Sequence, residues 1–281
     1  MALDPFPRPG DNFAMRKSFL AAAAAACLLS AAAAPAATPV IGYLTAETAP
    51  DTIRILPPAP RAGDARDAAD RATFRNTRSF QDSPRWTLAH ADIDERAIMK
   101  DMACAVGVEL TPANAPRLTG LIWRMRQDVR TAVNGPKDLY GRKRPYLVDK
   151  GPICDVASAS LAASPDYPSG HTTWGWSVAL VMAELAPDRA TDILVRGRSY
   201  GESRLVCGVH NLSAVEAGRT NASAVVAALH GSPEFRADLE AARAEVEKAR
   251  AAGPAPDPAA CAAEAALIRT SPLGAGASTA P

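Results

Sequence analysis

Three short stretches of this chain carry residue types suited to holding and attacking an oxyanion. Lys137 is followed, after six residues, by Arg144-Pro145, so that a point charge and a bidentate guanidinium fork can share the oxygens of one phosphate. Pro168-Ser169-Gly170-His171 runs straight into a helical pattern. The free N–H groups of a helix start, the Ser169 hydroxyl and the Gly170 backbone can face an anion there, while His171 passes a proton. Ser203-Arg204, five residues and then His210 add another guanidinium and an imidazole able to attack phosphorus, giving a phosphohistidine that water cleaves. Taken singly, each stretch also has a plain structural reading as surface cations or as a capped helix start with an incidental histidine. The other two of the four histidines, His90 at the entry to the core and His230 at a helix end, read as structural.

The elements that must position these residues read as helices. Hydrophobic residues make up 48% of the chain but aromatics only 5%, and Ala is abundant, which predicts an all-α, single-domain helical bundle. Helical spacing dominates from about Ile93 to His230. After the start signal Thr111-Pro112, Leu118, Leu121, Ile122, Met125 and Val129 share one face, and Arg117, Arg124, Arg126 and Arg130 read as its wet side. Further helices are predicted from Thr172 to Leu185, closed by Pro187, and from Asp188 toward Tyr200, where Gly197 and Gly201 suggest close packing. Ser213 to Glu216 fits a capping box for a helix from Ala214 to about Leu229, and Ser232-Pro233 opens another that ends near Gly253.

The ends differ from this core. Residues 1–14 read as a leader or mis-called start, and residues 15–36 as a signal peptide: Arg16-Lys17, an apolar Ala-rich run, then small residues around Ala34-Pro35-Ala36. Residues 37–85 read as an irregular N-terminal wrap with at most short helices, 86–252 as the helical domain, and 253–281 as a mostly flexible Ala/Pro-rich tail with one short helix at Ala259 to Ile268. Export carries the mature chain to an oxidising compartment, with no membrane span after cleavage. Beyond Cys27 in the leader, the even set Cys104, Cys154, Cys207 and Cys261 allows one or two disulfides in an oxidising compartment, with the pairing open. A formal charge of +1 gives no basis for a nucleic-acid-binding surface. The sequence leaves a homo-oligomer open.

In order, K-x6-R-P, P-S-G-H and S-R-x5-H, separated by residues 146–167 and 172–202, resemble the tripartite signature of the type 2 phosphatidic acid phosphatase superfamily, which also contains the vanadium haloperoxidases. The leader, Met102 to Gly107 and Cys207 to His210 are similar to the class A nonspecific acid phosphatases of bacterial periplasms, over roughly Ser79 to Lys248. The resemblance implies an all-α acid phosphatase without metal or cofactor. It makes His210 the nucleophile and His171 the acid, with Lys137, Arg144, Ser169, Gly170 and Arg204 as the phosphate-binding set. It implies a periplasmic location, small phosphomonoester substrates, inhibition by inorganic phosphate or vanadate, and a capacity to pass phosphate to alcohols. One position departs from the signature: the Asp expected four residues after the nucleophile, which fixes its tautomer, is Ala214. Glu216 lies too far round a continuous helix to replace it, which leaves a backbone carbonyl, Ser213 or a remote carboxylate for the task. The departure keeps two alternatives in view, a vanadate-dependent haloperoxidase and a non-catalytic phosphate-binding paralogue.

Overall fold

The computed structural model describes residues 41–274; the leader, the signal segment and Cys27 lie outside them, as do residues 275–281. The described residues contain helices and no strand. In chain order the longer helices are α1 (Ala65–Thr77), α2 (Pro84–Ala91), α3 (Pro116–Tyr140), α4 (Gly170–Leu185), α5 (Ala190–Cys207), α6 (Leu212–Leu229), α7 (Pro233–Ala252) and α8 (Pro258–Ile268). None of the described helices is long and apolar enough to cross a membrane.

Helix α4 lies at the centre, against α5 and α6, while α7 packs on α3 and α2 on α5. Trp174, Val178, Ala179, Val181 and Met182 of α4 are all buried, as expected of a helix with apolar residues on several faces. Small residues let α5 come close. A Cβ on Gly197 would stand 2.3 Å from Ala179 Cβ, and one on Gly201 would stand 2.7 Å from Thr172 Cγ2, which bears out the packing role read from these glycines. Serines cap α4 and α7 as the sequence suggests: Ser169 accepts from Thr172 N and Ser232 from Phe235 N.

Two readings of the ends change. The wrap contains the 13-residue helix α1, capped by Asp64, whose Phe74 and Asp70 are buried against the bundle. The tail is tied down: Cys104 and Cys261 form a disulfide, Arg198 Nη2 donates to Ile268 O at 2.6 Å, and Ser271 Oγ donates to Glu202 at 2.9 Å. The second disulfide, Cys154–Cys207, joins the long α3–α4 connection to the last residue of α5. His90 faces the Cys154 carbonyl at 2.7 Å and His230 pairs with Glu184 at 3.2 Å, consistent with structural roles.

The capping box is not formed. Helix α6 starts at Leu212, so Ser213 lies inside its first turn, and Asp70 of α1 accepts from both Ser213 N (2.7 Å) and Ser213 Oγ (2.5 Å). A carboxylate from another helix therefore satisfies a donor that the local pattern assigned to Glu216, which is exposed.

Candidate active site

Helix α3 carries Lys137 in its last turn and ends at Gly141, whose φ of +51° turns the chain toward Arg142 and Arg144. Lys137 Nζ donates to Ser164 Oγ at 3.0 Å. Arg144 is buried; its Nε donates to Ser164 O at 2.7 Å, and its Nη1 donates to Val209 O at 2.8 Å and meets His210 Nε2 at 3.1 Å. Arg204 occupies the last turn of α5. Gly208 closes that helix at φ +80°, and the reversal returns His210 N to Arg204 O at 3.3 Å. Because Nε2 of His210 faces a guanidinium, which can only donate, the ring proton belongs on Nδ1, 3.0 Å from Asp166 Oδ1.

These residues line one cavity of about 730 Å³, whose walls include Lys137, Arg144, Gly170, His171, Arg204 and His210. Arg204 is almost wholly buried. Its Nη2 reaches Asp155 at only 3.5 Å, while its Nε and Nη1 have no hydrogen-bond partner. Unpaired buried donors cost about 1–3 kcal/mol each, a cost that an anion placed against them removes. Burial, reinforced by Arg144, lowers the Lys137 ammonium to about 8. Burial, then Arg144, Lys137 and Arg204, push His210 well below the ordinary imidazole value, so its neutral, lone-pair-bearing form persists into acid.

His171 stacks on Tyr200 with ring centroids 4.7 Å apart. Neither ring nitrogen is free: Nδ1 lies 3.2 Å from Glu95 Oε1, and Nε2 lies 2.5 Å from the Asp92 carbonyl oxygen. Two acceptors suit a doubly protonated ring. Burial, then Arg204, leave its pKa below the ordinary imidazole value, although Glu95 and the Asp92 carbonyl pull it upward. Against the upward push of burial, His171 and Arg126 take Glu95 down to about 2, so the carboxylate facing His171 is ionised.

A family model described as PAP2 superfamily matches residues 125–237, a span that holds all three stretches. The chain is 44% identical over 214 residues to an acid phosphatase of Zymomonas mobilis, covering 75% of this chain and 81% of that protein. It is 35% identical over 214 residues to a non-specific acid phosphatase of Providencia stuartii, covering 75% and 86%, and 32% identical over 199 residues to one of Salmonella typhimurium, covering 68% and 78%. The chain belongs to the bacterial nonspecific acid phosphatases of the PAP2 superfamily.

Measured against the set implied by family resemblance, one residue is placed differently. Ser169 does not line the cavity: its Oγ is fully buried and caps α4, accepting from Thr172 N at 3.2 Å and Thr172 Oγ1 at 2.9 Å. Several residues enter that local reading missed. Ser164 bridges Lys137 and Arg144 through its hydroxyl. Arg126, assigned to the wet face of α3, instead lines the cavity, pairs with Glu95 and lies over the Trp123 and Trp174 rings. Ala214 is buried with Leu56, Tyr167 and Ala217. The carboxylate at His210 comes from Asp166, two residues before Pro168; its closeness in sequence to the P-S-G-H turn was the one available signal.

Proposed function

We propose that this chain is a secreted, periplasmic acid phosphatase that hydrolyses small phosphomonoesters without a metal ion, through a phosphohistidine on His210. The observation that carries the reading is Arg204, buried with two unpartnered guanidinium nitrogens in the wall that also presents His210. A phosphoryl group there is held by Lys137, Arg144, Arg204 and the Gly170 backbone, which neutralise charge spread over its oxygens. Arg144 Nη1 passes its hydrogen bond from His210 Nε2 to a phosphoryl oxygen, the freed Nε2 lone pair attacks phosphorus, and the P–O ester bond breaks. The leaving oxygen takes the Nδ1 proton of His171, in place of Glu95. Neutral His171 then accepts a proton from water as that water attacks phosphorus. The P–N bond breaks, its electron pair returns to Nε2, and phosphate leaves. An alcohol in place of that water yields phosphotransfer.

Hydrolysis of p-nitrophenyl phosphate, undiminished by EDTA and competitively inhibited by inorganic phosphate or vanadate, is expected. Label from a radioactive phosphomonoester, trapped by alkaline denaturation, should map to His210 and vanish in His210→Ala. Label on another residue would refute the mechanism, and halide oxidation with vanadate would favour the haloperoxidase alternative. The non-catalytic alternative rested on Ala214 and loses that ground where another carboxylate meets the imidazole.

A further inference from the structure

We propose that Asp166 is the positioning residue for His210, and that it performs from the loop before α4 the task which the family signature gives to position 214 on α6. The proposal rests on the phosphohistidine reading for its chemistry but on contacts around one carboxylate for its geometry. Asp166 is fully buried, and its two oxygens face four donors: His210 Nδ1 at 3.0 Å and Asn211 N at 3.1 Å on Oδ1, Asn211 Nδ2 at 2.8 Å and Arg142 Nη1 at 3.3 Å on Oδ2. Its own N–H donates to Arg142 O at 2.7 Å. The carboxylate cannot rotate without giving up several of these bonds. Asn211 precedes α6 but makes no side-chain cap on that helix; its amide is turned to Asp166 instead.

Arg142 is fixed in turn by Asp67 at 3.1 Å, Asp70 at 2.9 Å and Ser213 Oγ at 2.8 Å. With Nδ1–H committed to Asp166, Nε2 carries no proton; in the cavity wall it accepts from Arg144 Nη1 at 3.1 Å, a donor that an incoming anion draws to itself. When that nitrogen bonds to phosphorus, the ring becomes cationic beside a buried carboxylate, which stabilises it. Position 214 cannot add a second carboxylate freely. Ala214 is packed among Leu56, Tyr167 and Ala217, and its carbonyl accepts from Ser169 N at 2.9 Å, on the turn that carries Asp166. Two like charges in that buried space would force one to stay protonated.

The arrangement therefore predicts that positions 166 and 214 are mutually dependent. Asp166→Asn should lower kcat for p-nitrophenyl phosphate by about 10²–10⁴-fold, as loss of the correct tautomer does in other hydrolases, while inorganic phosphate binds within about threefold of wild type. Ala214→Asp alone should impair the enzyme, and Asp166→Asn/Ala214→Asp should recover at least about tenfold over Asp166→Asn. Nitrogen-15 NMR of the wild-type protein at neutral pH should show His210 protonated on Nδ1 and bare on Nε2. The idea fails if Asp166→Asn keeps kcat within threefold, if it loses phosphate affinity in parallel with kcat, or if the double variant recovers nothing. Should Asp166→Asn not fold, the wild-type spectrum decides alone, and an Nε2–H tautomer refutes the proposal. A wild-type protein without phosphatase activity but with the Nδ1–H tautomer would refute the functional reading and leave the positioning intact.

Discussion

Lys137 offers the most direct measurement of the cavity's electrostatics. Its ammonium, lowered to about 8 by burial and by Arg144, is charged below that pH and neutral above it. Its contribution to anion binding must therefore be present on the acid side and disappear on the alkaline side. For a pKa of about 8, the charged fraction falls roughly tenfold between pH 7 and pH 9. Lys137→Arg keeps a cation that does not titrate in this range. The perturbation is this substitution, and the assay is calorimetric titration with inorganic phosphate at fixed ionic strength. Both proteins see the same phosphate ionisation, so it cancels in the ratio of affinities. The wild-type to Lys137→Arg ratio should fall by close to tenfold from pH 7 to pH 9. Lys137→Met should bind more weakly by about 1.5–3 kcal/mol, the worth of a charged hydrogen bond, with little further pH dependence beyond that of phosphate itself. A wild-type to Lys137→Arg ratio that stays constant across this interval would show that Lys137 does not sit among the other cations as described.

Glu95 helps to hold a proton on His171, so Glu95→Gln should make that proton easier to lose. The alkaline limb of kcat is expected to move toward acid, read from a pH–rate profile; an unmoved limb would separate Glu95 from the acid. A methyl at position 175 would stand 2.2 Å from Tyr200 Cδ1, and Tyr200 stacks on His171. Gly175→Ala should cost about 1–3 kcal/mol by calorimetry and lower kcat as the pushed ring disturbs its neighbour. Cys154–Cys207 closes a sequence separation of 53, for which chain entropy gives about 4 kcal/mol as a ceiling. Cys154→Ser/Cys207→Ser should lower Tm accordingly, and an unchanged Tm would remove the bridge from the stability account.

Features written locally were legible. Helix ends at Ser169, Pro187, Ser232-Pro233 and Gly253 announce themselves because caps and breakers act within one turn, and the cations and histidines stand in compact stretches with recognisable chemistry. What escaped was set by approach between distant segments. Glu95 meets His171 across 76 residues, and Asp70 reaches Ser213 across 143, so no local pattern could name either partner. Ser213 shows the failure clearly: its spacing to Glu216 was right for a capping box, yet a carboxylate from α1 had already taken the donor. Helix α1 itself was missed because it is rich in Asp and Arg, with few apolar residues to mark a period. Arg126 was misplaced for the opposite reason: the charged side of α3 is not uniformly wet, because the loop carrying Glu95 covers part of it.

Helix α1 contributes no side chain to the cavity lining, but Asp67 and Asp70 hold Arg142, Arg142 meets Asp166, and Asp166 meets the imidazole. A nick or fusion that peels residues 65–77 from the bundle would leave every cavity-lining side chain in the polypeptide and still loosen one of the holds on the carboxylate behind the ring. In this molecule the wrap is a clasp, and trimming it as a dispensable extension would remove a helix together with both carboxylates that anchor Arg142.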